Sequence, residues 1–182
     1  MRRRKPVLRA VLIGLGTALA GLTILYLLIF RVFDPQTQEI SQVEKNLKIA
    51  VPRNSSVIEY SDSTGWFGDG EVDIEVALPL DSDEKEMGVT GQNAWHPLPM
   101  PKDLTMLIYG GDEGTTIQYG GLGNDWIKKT KSVQTGAYFF LDRNETDLRE
   151  KISPLQNRYS QDFTFALYDS SAKIIYFYKY DS

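Results

Sequence analysis

Histidine chemistry is confined to one position in this chain. His96 is the only histidine among 182 residues, so a general base built on histidine would have to use it. Its neighbours Trp95 and Pro97 favour an irregular stretch, and no Gly-x-Ser-x-Gly nucleophile elbow accompanies it. A Ser–His–Asp set stays open, because triads are assembled in space. We expect an ordinary surface or packing histidine and assign no catalytic residue.

Carboxylates are the second source of chemistry. The chain carries 24 Asp and Glu residues, and a glycoside hydrolase needs only two of them at a fixed separation. An acidic domain offers many accidental pairs, and most of them lie on solvated faces. A cell-envelope hydrolase that uses a carboxylate pair is therefore an alternative function, and we expect no enzymatic activity.

Glycine and acidic residues cluster at 65–71, 110–114 and 120–125. Inward-turned carbonyls and carboxylates are ligands that suit calcium, although no cluster has the Asp-x-Asp-x-Asp-Gly spacing of a calcium loop. Tight turns require the same residues. A calcium-stabilised binding module is thus another alternative, and we predict no metal site and no cofactor. The chain has no cysteine, which excludes disulfides, thiolate zinc sites and thiol nucleophiles.

Aromatic residues form two candidate binding surfaces. Trp66 and Phe67 stand in a glycine-rich loop, where they either fold back over the sheet edge, which we favour, or project as a hot spot for a partner. The last strand has a tyrosine face that either is covered by the helix at 35–49, which we favour, or binds a ligand. The residues of that face are Tyr176, Tyr178 and Tyr180.

Residues 10–30 contain no charged side chain. As a helix they would extend about 31 Å, which matches a hydrocarbon core of about 30 Å. Five basic residues precede this segment and Arg31 follows it, so the positive-inside rule places residues 1–9 in the cytoplasm. We predict a single-pass cell-membrane protein with an extracytoplasmic domain at 34–182. A cleaved signal ending near Ala20 is the alternative, which would leave a bare apolar run on the mature chain.

Charge is distributed unevenly along the chain. Residues 1–33 have six basic side chains and no acidic one, whereas 34–182 have 14 basic and 24 acidic ones, a net charge of −10. The outer domain should therefore repel nucleic acid and anionic lipid. Small residues four apart in the span, such as Gly14 and Ala18, would permit a homodimer.

The remaining pattern predicts an α+β domain with one main helix and a mainly antiparallel sheet of five to seven strands. A capped helix is expected at 35–49, and a further short helix at 144–152. Segment 79–103 either hides a short helix or is mobile. Period-2 alternation and turn residues predict hairpins between 56–61 and 71–78, between 104–109 and 115–119, and between 163–168 and 175–180, with a further strand at 136–142.

Several sequence blocks resemble an uncharacterised family of small membrane-anchored extracytoplasmic proteins of Gram-positive bacteria. The blocks are Gly65-Trp-Phe-Gly-Asp-Gly, Trp95-x-Pro-Leu-Pro, Tyr109-Gly-Gly, residues 137–143 and residues 163–169. Many relatives have a His-Gly-Gly-Phe-like loop where this chain has Thr64-Gly-Trp-Phe, so chemistry that requires a histidine there does not transfer. The resemblance implies the topology above and no activity. We therefore expect a membrane-tethered interaction or accessory domain with a protein partner at the outer face.

Overall fold

A computed structural model describes residues 14, 16–26, 35–66, 68–89, 94–110, 122–143 and 162–182. The chain consists of two compact units, Met1–Gln38 and Glu39–Ser182. In the first unit, residues 14 and 16–26 are helical, and their leucine and isoleucine side chains are exposed. Among the described residues, no helix combines the length and apolar character needed to cross a membrane. The rest of the predicted span at 10–30 lies outside them.

Among the described residues of the second unit, six antiparallel strands form one sheet. Their spatial order is β1-β2-β6-β5-β4-β3, so β1 and β3 lie at the two edges. The strands are β1 (Ser56–Asp62), β2 (Gly70–Ala77), β3 (Trp95–Pro97), β4 (Gly136–Asp142), β5 (Phe163–Asp169) and β6 (Ile174–Asp181). The predicted α+β class, the strand number and the first and last hairpins are confirmed.

Four helices follow residue 34 in the described part of the chain. They are α1 (Pro35–Leu47), α2 (Glu84–Met87), α3 (Lys102–Tyr109) and α4 (Asn124–Thr130). The helix predicted at 35–49 is confirmed as α1, which ends two residues earlier than expected. For segment 79–103, the alternative of a short helix is confirmed by α2. This helix begins after Asp83, because the Asp83 side chain accepts hydrogen bonds from the backbone N–H of Lys85 and Glu86.

Apolar side chains cover both faces of the sheet, because strand side chains alternate in direction. On the first face, which we call the α1 face, Val43 and Leu47 of α1 pack on Val72, Ile74 and Val76 of β2. On the opposite face, which we call the α4 face, α3 and α4 pack on β4, β5 and β6. Two buried layers therefore share one sheet.

The strand predicted at 104–109 is wrong. These residues lie in α3, where Leu104, Leu107 and Ile108 are buried against the α4 face. Their spacing of three and four residues places them on one side of a helix. A short apolar run fits the periodicity of a strand as well as that of a helix. Here burial of one side against the sheet favours the helix. The predicted strand at 115–119 and the helix at 144–152 lie outside the described residues.

Candidate functional site

Trp66 lies in the tight loop that joins β1 to β2. The loop is closed by backbone hydrogen bonds: Gly65 N–H donates to Asp69 O at 2.8 Å, and Gly68 N–H donates to Gly65 O at 3.0 Å. Next to them, Ser63 N–H donates to Glu71 O at 2.9 Å. These bonds join the two sides of the loop that carries Trp66.

Asp62 and Gly70 fix the two ends of this loop. The Asp62 carboxylate accepts hydrogen bonds from the Thr64 hydroxyl and from the Thr64 backbone N–H, and these bonds hold the pKa of Asp62 below its usual value. Gly70 has φ +146°, and a Cβ atom there would lie 2.6 Å from the carbonyl oxygen of Ser63. Only glycine allows the two strands to approach this closely.

The Trp66 side chain is fully exposed, at 102% of its reference area. The expectation that Trp66 folds back over the sheet edge is therefore wrong. Gly68 N–H donates to Gly65 O across residue 66, so Trp66 lies at the turn that closes the hairpin. Phe67, the other predicted member of this loop, lies outside the described residues.

The tyrosine face of β6 is part of the core. Tyr176 and Tyr178 are buried, and Tyr180 is half-buried. The Trp126 ring of α4 lies over this face, with ring centroids 6.5 Å from Tyr176 and 6.0 Å from Tyr178. Burial, with the nearby Glu71 carboxylate, raises the pKa of Tyr178. The prediction that a helix covers this face is confirmed, but the prediction that α1 is that helix is wrong. The covering helix is α4, because α1 packs on the opposite face of the sheet.

A carboxylate cluster lies beside these tyrosines. Glu75 pairs with Tyr176 across β2 and β6 and with Glu59 across β1 and β2, so all three share the α4 face. Lys129 of α4 is placed between the two acids, 2.7 Å from Glu59 Oε2 and in direct contact with Glu75 Oε1. Burial alone would lower the pKa of Lys129, but its hydrogen bonds to both carboxylates raise it.

Asp73 is the member of the cluster without a bonded cation. Its Oδ1 atom is buried and has no hydrogen-bond partner. Burial, and then the negative charge of Glu75, raise the pKa of Asp73 to about 7, while Lys129 opposes the shift. A neutral Asp73 is a proton donor near pH 7. Its neighbours Glu59 and Glu75 are both engaged by Lys129, however, and the cluster acts as an ion-pair clamp between α4 and the sheet.

Replacing Asp73 with asparagine should stabilise the domain above neutral pH. The folded-state pKa of Asp73, about 7, exceeds the ordinary aspartate pKa of 3.8. The folded state therefore binds the proton more tightly, and wild-type stability falls as pH rises between these values. A pKa shift of this size corresponds to about 4 kcal/mol in the free energy of unfolding. Solvent screening reduces the stabilisation expected for Asp73→Asn to roughly 1–3 kcal/mol at pH 8. Chemical denaturation at pH 4.5 and pH 8 measures it.

Asp125→Asn is the matched control for this prediction. Asp125 is exposed, and its hydrogen bond and ion pair with Lys128 lower its pKa. The same chemical change there should give no gain in stability at pH 8. A difference between Asp73→Asn and wild type that is the same at both pH values would contradict the assignment of a raised pKa to Asp73.

The remaining candidates from the sequence contribute less. His96 is exposed on β3, and its ring centroid lies 5.3 Å from that of Tyr138, which is the packing role expected. No three His, Cys, Asp or Glu side chains in the described ranges are placed to hold a metal ion. Of the 110–114 and 120–125 clusters, the structure describes only residues 110 and 122–125.

Exposure distinguishes the loop from the other sites. Among the described members of the predicted binding set, only Trp66 is fully exposed. Comparisons with protein families, with curated proteins and with solved structures found no match to this chain.

Proposed function

We propose that this protein is a membrane-tethered extracytoplasmic interaction domain without catalytic activity, and that the tip of the β1–β2 hairpin is its binding surface. The observation that carries this proposal is a fully exposed tryptophan on a hydrogen-bonded loop. Tryptophan is the residue most enriched at binding hot spots. A loop that is already ordered loses little entropy when it binds.

Burial of the Trp66 side chain by a partner would remove a large apolar area from water. An indole side chain buries roughly 150–250 Å², which corresponds to about 4–6 kcal/mol before the costs of association. The residue gains none of this in the isolated domain, because it is fully exposed there. Its position is therefore better explained by association than by stability.

Three features of the N-terminal region support the tether. Residues 10–30 have no charge, and the basic residues lie mainly before them. The hydroxyl groups of Thr17 and Thr23 donate to the carbonyl oxygens of Gly14 and Leu19, at 3.0 and 2.9 Å. Internal hydrogen bonds of this kind satisfy polar groups in an apolar environment. On this proposal, 34–182 lies outside the cell and 1–9 lies in the cytoplasm.

The charge of the outer domain indicates what kind of partner Trp66 meets. A net charge of −10 repels an anionic membrane surface, which disfavours insertion of the hairpin into lipid. A protein partner at the outer face would bury the exposed indole and would avoid the repulsion between the acidic domain and anionic lipid. The family resemblance, which implies the same topology, is part of this proposal.

Trp66→Ala is expected to weaken partner binding by at least tenfold, equal to about 1.4 kcal/mol. The partner is first identified in intact cells by a photo-reactive side chain at position 66 of the full chain, followed by mass spectrometry. Its affinity for wild-type protein and for Trp66→Ala is then compared. Alanine removes the indole and leaves the hydrogen-bonded loop backbone intact.

Leu80→Ala is the matched control, because Leu80 is 84% exposed and lies after β2, away from the loop. A photo-reactive side chain at position 80 should not reproduce the same cross-link. An equal cross-link at both positions, or an unchanged affinity for Trp66→Ala, would remove the loop from the proposed function.

A further inference from the structure

The two edges of the sheet differ in how well they are blocked. Strand β3 has three residues and ends at Pro97, and short strands and proline both prevent further strand pairing. Strand β1 has seven residues, with neither proline nor lysine, and no described residue pairs with its outer edge. A bulge interrupts it between Val57 and Glu59, and the part from Glu59 to Asp62 pairs regularly with β2. Only β1 therefore offers a regular edge.

Strand β1 also exposes apolar side chains. Ile58 is 54% exposed and Tyr60 is 44% exposed. Tyr60 pairs with Ile74 and so lies on the α1 face, whereas Glu59 and Ser61 lie on the α4 face. Next to the loop that carries Trp66, the edge thus presents Tyr60 and Asp62 on one face, where the Tyr60 hydroxyl donates to Asp62 Oδ2 at 3.1 Å, and Glu59 on the other face.

The β1 edge is anionic. Glu59 and Asp62 both lie on it, and Lys129, the cation that contacts Glu59, is shared with the buried Glu75. The acid at position 62 stays ionised, because its hydrogen bonds lower its pKa. A strand that docks here gains from lysine or arginine side chains and loses from acidic ones.

We propose that the β1 edge binds an extended, Lys- or Arg-containing segment of the partner protein as a seventh strand; this rests on the proposed function. Backbone hydrogen bonds to β1 supply affinity, and alternate side chains supply specificity. Basic side chains of the segment face Glu59, and apolar ones face Tyr60. The regular part of this edge, Glu59 to Asp62, has four residues, which at about 3.4 Å each extend roughly 14 Å.

Charge also argues against a second copy of this chain. An antiparallel β1–β1 pair would bring Glu59 and Asp62 of two copies into the same small interface, and like charges across strands are destabilising. The basic residues of this chain's own N-terminus lie, on the proposed topology, on the other side of the membrane. An external basic segment is the occupant that satisfies both restrictions.

The test uses the full chain in detergent and fluorescent seven-residue peptides measured by anisotropy. The probes are a peptide of alternating lysine and valine, the same peptide N-methylated at every backbone nitrogen, and one with glutamate in place of lysine. The first should bind, more weakly as salt is raised. The other two should bind at least tenfold more weakly, because one lacks edge hydrogen bonds and the other has the wrong charge.

Two lysine substitutions, Ser61→Lys and Leu80→Lys, distinguish an effect at the β1 edge from an effect of the net charge of the domain. Both change the charge of the domain equally, but only Ser61, which is exposed, lies on β1. Ser61→Lys should weaken binding of the lysine peptide at least tenfold, while Leu80→Lys should leave it within twofold of wild type. Equal binding by the two variants, or equal binding of the N-methylated peptide, would overturn the inference.

Two further results separate this inference from the proposed function. A position-66 partner that has no basic extended segment would overturn the inference and leave the interaction domain in place. Self-association that Ser61→Lys abolishes would also overturn it, in favour of a second copy. Absence of any position-66 cross-link, with peptide binding intact, would instead overturn the role of Trp66.

Discussion

Gly136→Ala is expected to destabilise the domain by more than about 4 kcal/mol, which is exceptional for one methyl group. Gly136 opens β4 with φ +134°, a conformation that side chains with a Cβ rarely adopt. An added Cβ would lie inside the contact distance of the Tyr168 carbonyl oxygen and 3.0 Å from its carbonyl carbon. Both are backbone atoms of β5, so the clash is relieved only by separating the two strands.

The expected loss is a large part of the 5–15 kcal/mol that stabilises a typical domain. Urea denaturation and the yield of folded protein measure it. Gly123→Ala is the matched control, because Gly123 has negative φ and nothing lies within 4 Å of an added Cβ. Its stability should stay within about 1 kcal/mol of wild type. A Gly136→Ala variant as stable as Gly123→Ala would mean that β4 and β5 do not approach as described.

Trp126→Ala is expected to cost about 3–5 kcal/mol. The indole is 3% exposed and packs in the apolar layer between α4 and the sheet. Its ring centroid lies 5.5 Å from Phe165 and 6.3 Å from Tyr109, in addition to the two tyrosines of β6. Truncation leaves a cavity that neighbouring strands are too rigid to fill, and it loosens the helix that holds Lys129 near Glu75.

Trp66→Ala makes the same chemical change at an exposed site and should alter stability by less than about 0.5 kcal/mol. Trp126→Phe should cost less than Trp126→Ala, because an aromatic ring is kept and the indole Nε1 has no hydrogen-bond partner to lose. Chemical denaturation with near-ultraviolet circular dichroism compares the three variants. Equal stability of Trp126→Ala and Trp66→Ala would contradict the burial of Trp126.

Local patterns predicted the elements whose signal lies within a few residues. Alternation in 71–78 and 163–180 indicated strands, because one face of each strand is apolar or aromatic along its whole length. Short connections between these runs predicted the hairpins β1–β2 and β5–β6, which the structure contains. The expected Asp34 cap, Pro35 at the first helical position and the stripe of Ile40, Val43 and Leu47 predicted α1.

The candidate site depended on contacts that are distant in sequence. The carboxylates of β2 face the tyrosines of β6 because those strands pair, although about 100 residues separate them. Sequence spacing contains no signal for this pairing. The strand prediction at 104–109 fails for a related reason: its six residues fit both periodicities, and only the sheet beneath α3 decides between them.

Composition and period therefore determined the α+β class, the charge separation along the chain, the predicted membrane segment, and the choice of Trp66 as a candidate. These properties depend on residue type and on neighbours within one or two turns. Only the tertiary structure decided that Trp66 is exposed while Tyr178 is buried, and that Asp73 lies where ionisation is costly. Burial and electrostatic environment are produced by segments that meet after folding, so an aromatic or acidic side chain alone does not reveal whether it binds a partner or packs in the core.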